Sequence, residues 1–439
     1  MNIHKQISSY INPSGNPFLR PGFGRVLRLQ DPVYVFSLLY VFSLSFDKMI
    51  PVVTLIFWGI TAVITYKWKS VWQAWRKNPL TYSLLALYLL YLLSLFFTSN
   101  TEEGLVKAEV KLTYILLPVL MAPALAFGKT KIFNLLTAFI AGTSLSILIN
   151  IFHSLGQFID TGNTAHFFYH YVSLFHHTSY YAVYLCFAVV AILYLQRQKV
   201  LTGVFPLVML LMIHIAMVFL LSSKAGIMVL FLALLLESGS RLYTNRNMKH
   251  LLIFTGSIVL MVLLSMYNNR IQNAIQDVKS TPVIQSSDGK GKTDPQTNSS
   301  NSRILVWKTC SELIPSYWLT GMMPGDVTDK LVKSYREHKY QGPAEKRLNC
   351  HNQFLQTQLA LGIFALLLLI SSLLLPVLGR QSRFKRLRIM FVLVISASFM
   401  FEAMLETQSG VQFIVFFLVL LSYQSLKNKT YDTIFATQN

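Results

Sequence analysis

The sequence has little charge and little cysteine. Of its 439 residues only 13% are charged, while 53% are hydrophobic; soluble domains hold about 25% charged residues. This composition excludes an ordinary soluble protein. Three cysteines are too few for a disulfide framework, although Cys310 and Cys350 occupy one segment and would be able to pair in an oxidising compartment. Residues 1–31 are polar and basic, without a small-residue cleavage site, so we expect no removable signal peptide.

Long apolar runs are abundant instead. Many approach the roughly 20 residues that cross a bilayer as a helix. They predict an all-α polytopic membrane protein with about 12 transmembrane helices, at 32–46, 50–66, 80–98, 112–127, 132–152, 178–196, 200–221, 225–237, 250–267, 352–376, 389–404 and 409–424. The predicted organisation is an N-terminal segment 1–31, helices 1–9 within 32–267, a long loop 268–350, helices 10–12 within 352–424, and a tail 425–439.

The net charge of +20 is interpreted as a signal of orientation and not of nucleic-acid binding. In membrane proteins, lysine and arginine collect in cytoplasmic loops. Of the 38 such residues, 22 lie on the predicted side of the termini and only four in the short loops opposite. The other 12 lie in the long loop, whose charge has little influence on topology. Both termini are therefore predicted to be cytoplasmic and the loop 268–350 extracytoplasmic.

The long loop has two parts. Its first part, "STPVIQSSDGKGKTDPQTNSSNS", is of low complexity. From Ser302 onward, "SRILVWKTCSELI" has helical periodicity, and "KLVKSYREHKY" is typical of a second amphipathic helix.

A histidine stands where the loop meets helix 10, in "LNCHNQFLQTQLALGIFALLLL". Imidazole exchanges protons near neutral pH, and a helix N-terminus disfavours its charged form. His351 is therefore a candidate general base, with Asn352 as a candidate N-cap. By position alone, a histidine that merely caps an interfacial helix is the more common alternative.

Two cations are predicted to share its side of the membrane. Lys224, in "LLSSKAGIMVL", stands between two apolar runs, where a charge is costly unless it has a partner or reaches water. Arg303 opens the ordered half of the loop. Snorkelling of Lys224 and solvation of Arg303 remain open alternatives. Together, the two cations suit a phosphate-bearing donor, because a compartment without ATP requires pre-activated substrates.

These motifs resemble those of O-antigen ligases and their relatives. His351–Asn352, nine residues and Gly362 fit the family pattern His-[Asn/Ser/Gln]-x9-Gly-x-x-[Gly/Thr/Tyr], and Ala365 departs from its last position. The family's Arg-x3-Trp and Gly-rich turn are matched by "SRILVW" and "TGMMPGD". "SSKAG" stands where many members carry arginine, and "FHHTSYYAVYLCF" is similar to the segment that enters the mid-chain helices. The resemblance spans about residues 170–420.

The resemblance implies a metal-independent, inverting glycosyltransferase without cofactors. It would move a glycan en bloc from undecaprenyl pyrophosphate to a lipid A–core sugar hydroxyl, on the periplasmic side of a bacterial inner membrane. His351 would be the base, with Arg303 and Lys224 on the pyrophosphate. Substrate contacts are expected at a few further positions: Asn352, His177 and Trp307, where Trp307 would stack on a sugar or anchor the loop.

Other functions share much of this pattern. An O-antigen or exopolysaccharide polymerase and a protein O-oligosaccharyltransferase use the same donor chemistry. A transporter or flippase is a different class, which would show paired halves and charged or broken helices at the midplane. The five histidines between positions 153 and 177 have irregular spacing, so no zinc site is expected there.

Three further positions carry expectations about packing and pairing. Glu402 and Glu406, four apart, are predicted to share a helix face and to pair with loop cations, with contact to an acceptor as the alternative. Gly362 is predicted to be a close helix-packing point.

Overall fold

The computed structural model describes residues 32–244, 299–379 and 384–436, with the isolated positions 255, 256 and 259. Predictions for residues 1–31, the span 250–267 and the low-complexity stretch lie essentially outside these residues. Regular structure in the described residues is helical, which confirms the all-α class.

The described residues form sixteen α-helices. The first ten precede the long loop: α1 Pro32–Ser43, α2 Met49–Thr65, α3 Trp68–Lys77, α4 Pro79–Ser94, α5 Thr101–Val110, α6 Thr113–Leu120, α7 Lys129–Thr161, α8 Thr178–Arg197, α9 Val204–Leu220 and α10 Lys224–Thr244. The other six are α11 Ser299–Tyr317, α12 Val327–Glu337, α13 Gln341–Glu345, α14 Gln353–Leu378, α15 Lys385–Phe399 and α16 Gln408–Ala436.

Five of these helices contain stretches long and apolar enough to cross a membrane, at Lys129–Thr161, Thr178–Arg197, Lys224–Tyr243, Gln353–Leu378 and Gln408–Leu426. Four shorter helices, α1, α2, α4 and α9, are also apolar. The chain is thus a membrane protein by composition and helix length. The number of twelve spans and their orientation stay predictions.

The predicted span 112–127 is not one helix. Helix α6 ends at Leu120, and a 3-10 turn follows at Ala122–Ala126. Pro118 lies inside α6 and Pro123 inside the turn. Because proline has no N–H to donate and its ring crowds the preceding turn, two prolines five positions apart prevent a continuous α-helix here.

The centre of the bundle is formed by α8 and α16. Helix α8 packs against α7, α9, α10 and α15, and α16 packs against α14. Phe417 of α16 joins these helices, since its ring centroid lies 5.1 Å from that of Phe139 and 4.7 Å from that of Phe187. Such aromatic contacts add to the free energy of apolar burial, and they fix α7, α8 and α16 relative to one another.

The ordered half of the long loop is helical, as its periodicity predicts: the two expected helices are α11 and α12. The turn between them is hydrogen-bonded to α14. The N–H of Met322 donates to the carbonyl of Leu359 (2.6 Å), and the N–H of Ile363 donates to the carbonyl of Trp318 (2.9 Å). The loop is therefore attached to the first half of α14 by backbone hydrogen bonds.

Gly362 makes this attachment possible. Its backbone is non-helical, with φ +77° and ψ −171°, a conformation that only glycine adopts readily. A Cβ at this position would overlap the carbonyl of Leu319. The predicted close approach is confirmed, but its partner is the loop turn and not a second membrane helix.

Replacing Gly362 by alanine is expected to lower the free energy of unfolding by about 1–3 kcal/mol from backbone conformation alone, with a further loss from the overlap with Leu319. Thermal unfolding in detergent measures this. Gly59→Ala is the control, because no atom lies within 4 Å of a Cβ built at Gly59. Equal melting temperatures for the two variants would contradict the role given to Gly362.

Candidate functional site

A cavity of about 220 Å³ brings together residues from five separate segments of the chain. Four predicted site residues, His351, Arg303, Lys224 and His177, line it. Lys346 and Glu402 line it as well. The candidates that the sequence singled out on a common side of the membrane therefore meet at one place.

His351 lies between the loop and α14 with a left-handed backbone, φ +43°. This conformation is uncommon outside glycine and concentrates at functional sites. It is held by the side chain of Asn349, whose Oδ1 accepts the His351 N–H at 2.9 Å. The imidazole Nδ1 lies 3.3 Å from Oε2 of Glu402. With the proton of Nδ1 donated to that carboxylate, Nε2 is the free acceptor.

Glu402 contacts both Arg303 and His351. Its side chain is 4% exposed, and its Oε1 lies 2.5 Å from Nη2 of Arg303. Burial by itself raises the pKa of this carboxyl, but the hydrogen bond to His351 and the positive charge of Arg303 outweigh it and leave the pKa below its usual value. Glu402 is therefore a carboxylate at neutral pH.

Positive charge dominates the cavity. Lys224, Arg303 and Lys346 line it against the one carboxylate of Glu402. The first residues of α8 and α10 are also in the lining, so two helix N-termini present partial positive charge to the same space. A site with these features favours an anionic group, such as a phosphate or pyrophosphate.

His177 has a different character from His351. It occupies the N-cap position of α8 without a side-chain cap hydrogen bond, and it is exposed. Desolvation by the surrounding protein lowers its pKa; the negative charge of Glu402 opposes this effect, and the neighbouring Arg303 adds to it. The ring is therefore neutral at physiological pH. A neutral imidazole at the cavity wall is able to donate or accept a hydrogen bond to a sugar hydroxyl.

Asn352 and Trp307 form hydrogen bonds with backbone groups next to His351. Asn352 is the predicted N-cap: its Oδ1 accepts from the N–H groups of Phe354 (2.9 Å) and Leu355 (3.1 Å). Trp307 donates its indole N–H to the carbonyl of Cys350 at 3.1 Å. Neither is among the described residues that line the cavity, so their predicted substrate contacts stay predictions.

The turn that carries Glu402 is fixed by a second charged cluster. Glu406 lies 3.3 Å from Nζ of Lys107 and 3.5 Å from Nζ of Lys111. Burial raises the pKa of Glu406, but the two lysines outweigh it and lower the pKa. Lys111 also donates to the carbonyl of Leu405. These contacts hold the segment between α15 and α16 against α5.

The expectation that Glu402 and Glu406 share a helix face is wrong. Helix α15 ends at Phe399, and the two carboxylates lie in the turn that follows, where they point to different partners. Pairing with a cation of the long loop is confirmed for Glu402 through Arg303. Glu406 pairs instead with lysines of the segment around α5.

Two lining residues were missed as site residues. Lys346 lies five positions before His351, close enough in sequence to have been noticed as a further cation. Glu402 was noticed, but nothing in a single sequence shows that a residue 51 positions away would meet His351. Among the residues the structure describes, no cluster of three or more His, Cys, Asp or Glu side chains is arranged to hold a metal ion.

Comparison with known proteins gives one family. A family model described as O-antigen ligase matches residues 207–370, a range that contains Lys224, Arg303, His351 and Gly362. No protein of curated function matches the chain. The resemblance drawn from the His351 motif is confirmed over this range: residues 207–370 match the O-antigen ligase family.

Proposed function

We propose that this protein is a glycosyltransferase that moves a glycan en bloc from undecaprenyl pyrophosphate to a hydroxyl of an acceptor glycan, with lipid A–core as the acceptor. The observation that carries the proposal is the cavity in which His351 is paired with Glu402 beside Arg303, Lys224 and Lys346. A base and a cluster of cations are the two elements that transfer from a pyrophosphate requires.

In the proposed reaction, Nε2 of His351 takes the proton of the acceptor hydroxyl. The hydroxyl oxygen attacks the anomeric carbon from the face opposite the leaving group, the carbon–oxygen bond to pyrophosphate breaks, and the configuration inverts. The proton remains on His351 as an imidazolium, which the carboxylate of Glu402 stabilises. Undecaprenyl pyrophosphate leaves with its electron pair, and the three cations stabilise its charge. The proposed step is metal-independent because these side chains supply the positive charge.

The cavity is proposed to open to the periplasmic face of a bacterial inner membrane. Helices α8 and α10 begin at the cavity and end at the opposite side of the bundle, where Arg241 lies 3.1 Å and Arg386 2.9 Å from Glu237. Arg241 lies between the predicted spans 225–237 and 250–267, and Arg386 between 352–376 and 389–404, in loops predicted to be cytoplasmic. Their position at the far ends of helices that begin at the cavity supports the proposed orientation.

A polymerase would use the same cavity, because its donor is the same and only the acceptor differs. The deciding experiment is deletion of the gene in its host, with envelope glycolipids separated on a gel. Loss of the whole glycan ladder from lipid A–core, with accumulation of lipid-linked polymer, supports the ligase. Core that carries a single repeat identifies a polymerase. An unchanged ladder rejects both and leaves protein glycosylation or transport.

His351→Ala is expected to lower transfer by about 10²- to 10⁴-fold, the usual contribution of a general base, so that it fails to restore the ladder. His153→Ala serves as the matched control, because His153 is an exposed histidine of α7 outside the cavity. Full rescue by His351→Ala, at a protein level equal to the control, rejects the general-base role.

Glu402→Gln is expected to lower the transfer rate by about 10²-fold. The amide keeps the shape of the side chain but removes the negative charge that stabilises the imidazolium formed in the transfer step. The wild-type side chain is a carboxylate at neutral pH because its pKa is below the usual value. A transfer rate equal to that of the wild type would reject this role.

Lys224→Ala is expected to lower kcat by about a hundredfold, because one positive charge on the leaving pyrophosphate is lost. Lys224→Arg keeps the charge and should recover most of the rate. Release of undecaprenyl pyrophosphate by the purified protein in vesicles measures both. Equal defects in the two variants would show that Lys224 contributes shape and not charge.

A further inference from the structure

Two of the three cysteines are in contact with each other next to His351. Sγ of Cys310 is 3.0 Å from Sγ of Cys350, and both side chains are fully buried. Cys310 belongs to α11, and Cys350 immediately precedes His351. The third cysteine, Cys186, lies in α8, with its thiol 3.4 Å from the carbonyl of Gly226.

One face of α11 contacts the residues around His351 three times. Arg303, Trp307 and Cys310 are spaced by four and three positions, so they project from the same side of the helix. Arg303 reaches Glu402, Trp307 donates to the carbonyl of Cys350, and Cys310 meets the Cys350 thiol. The cation and the base of the site are thus brought together by the docking of this face.

We propose that Cys310 and Cys350 form a disulfide that ties the Arg303 helix to the His351 segment. The proposal rests on the periplasmic orientation in the proposed function, because disulfides persist in oxidising compartments. A bond between these two residues closes 40 positions of chain. It restricts the separation of α11 from α14 and keeps the distance between base and cation fixed.

The reaction is a thiol–disulfide exchange with an external disulfide oxidant, such as a thiol oxidoreductase or oxidised glutathione. The thiolate of one cysteine attacks the oxidant and forms a mixed disulfide, and the second thiolate displaces the oxidant's remaining sulfur. The protein loses two protons and two electrons, and the oxidant leaves as two thiols. Burial raises the pKa of the Cys350 thiol, so exchange takes place while the loop is still undocked, and the docked bond is then shielded from reductants.

The test counts thiols in the full-length protein. Membranes are quenched with acid, dissolved in a denaturing detergent, and treated with a polyethylene-glycol maleimide, with and without prior reduction. We expect one labelled thiol, Cys186, before reduction and three after it, together with a linked peptide pair in mass spectrometry. Three labelled thiols before reduction would overturn the proposal.

Matched variants assign the labelled thiols. Cys186→Ser should show none before reduction and two after it, whereas Cys310→Ser should show two in both conditions. Reduction should lower the melting temperature of the wild-type protein by several degrees and leave that of a Cys310→Ser, Cys350→Ser double variant unchanged. The thiol count does not depend on glycan transfer, so a failed gel assay with a protected pair would reject the proposed function and keep the disulfide.

Discussion

A carboxylate buried away from water must be balanced by positive charge, and Glu402 imposes this requirement on the whole site. Arg303 from the loop supplies that charge, and His351 at the start of α14 adds a hydrogen bond to the same carboxylate. Leaving a buried charge without its partner costs about 3–5 kcal/mol. Since the three residues come from three distant segments, the same charges that serve the chemistry also determine how the loop sits on the bundle.

Side chains from the start of α14 accept hydrogen bonds from backbone N–H groups near the Arg303–Glu402 ion pair. Asn352 caps α14, and Gln356 accepts the N–H of Cys350. Gln353 accepts the N–H of Leu405 at 2.7 Å, which links the helix that follows His351 to the turn that follows Glu402. The polar first turns of α14 thus form a supporting layer, and a rigid supporting layer is what keeps a base within reach of its proton.

Much of the site was predictable, because chemistry and topology restrict where charges are placed. Lys224 was identified as a cation between two apolar runs, Arg303 as the first charge of the ordered half of the loop, and His351 by its place at a helix start. The pairing with Glu402 was not predictable, since a contact over 51 positions depends on how the helices pack. The same limit applies to Gly362: its left-handed backbone follows from glycine, but its partner at Leu319 depends on where the loop turn docks. The break after Leu120 was a missed local signal, because the apolar run 112–127 was given more weight than its two prolines.

Glu402 lies outside the matched range 207–370, so a functional fragment of this protein must be longer than that range. A fragment cut to that range would keep the base and the arginine but lose the carboxylate that contacts both of them. Arg303 would then lose the carboxylate that pairs with its guanidinium, and the Nδ1 of His351 would lose its hydrogen-bond partner. The minimal unit therefore extends at least from the His177 segment to the turn before α16, and chimaeras between relatives should exchange these segments together.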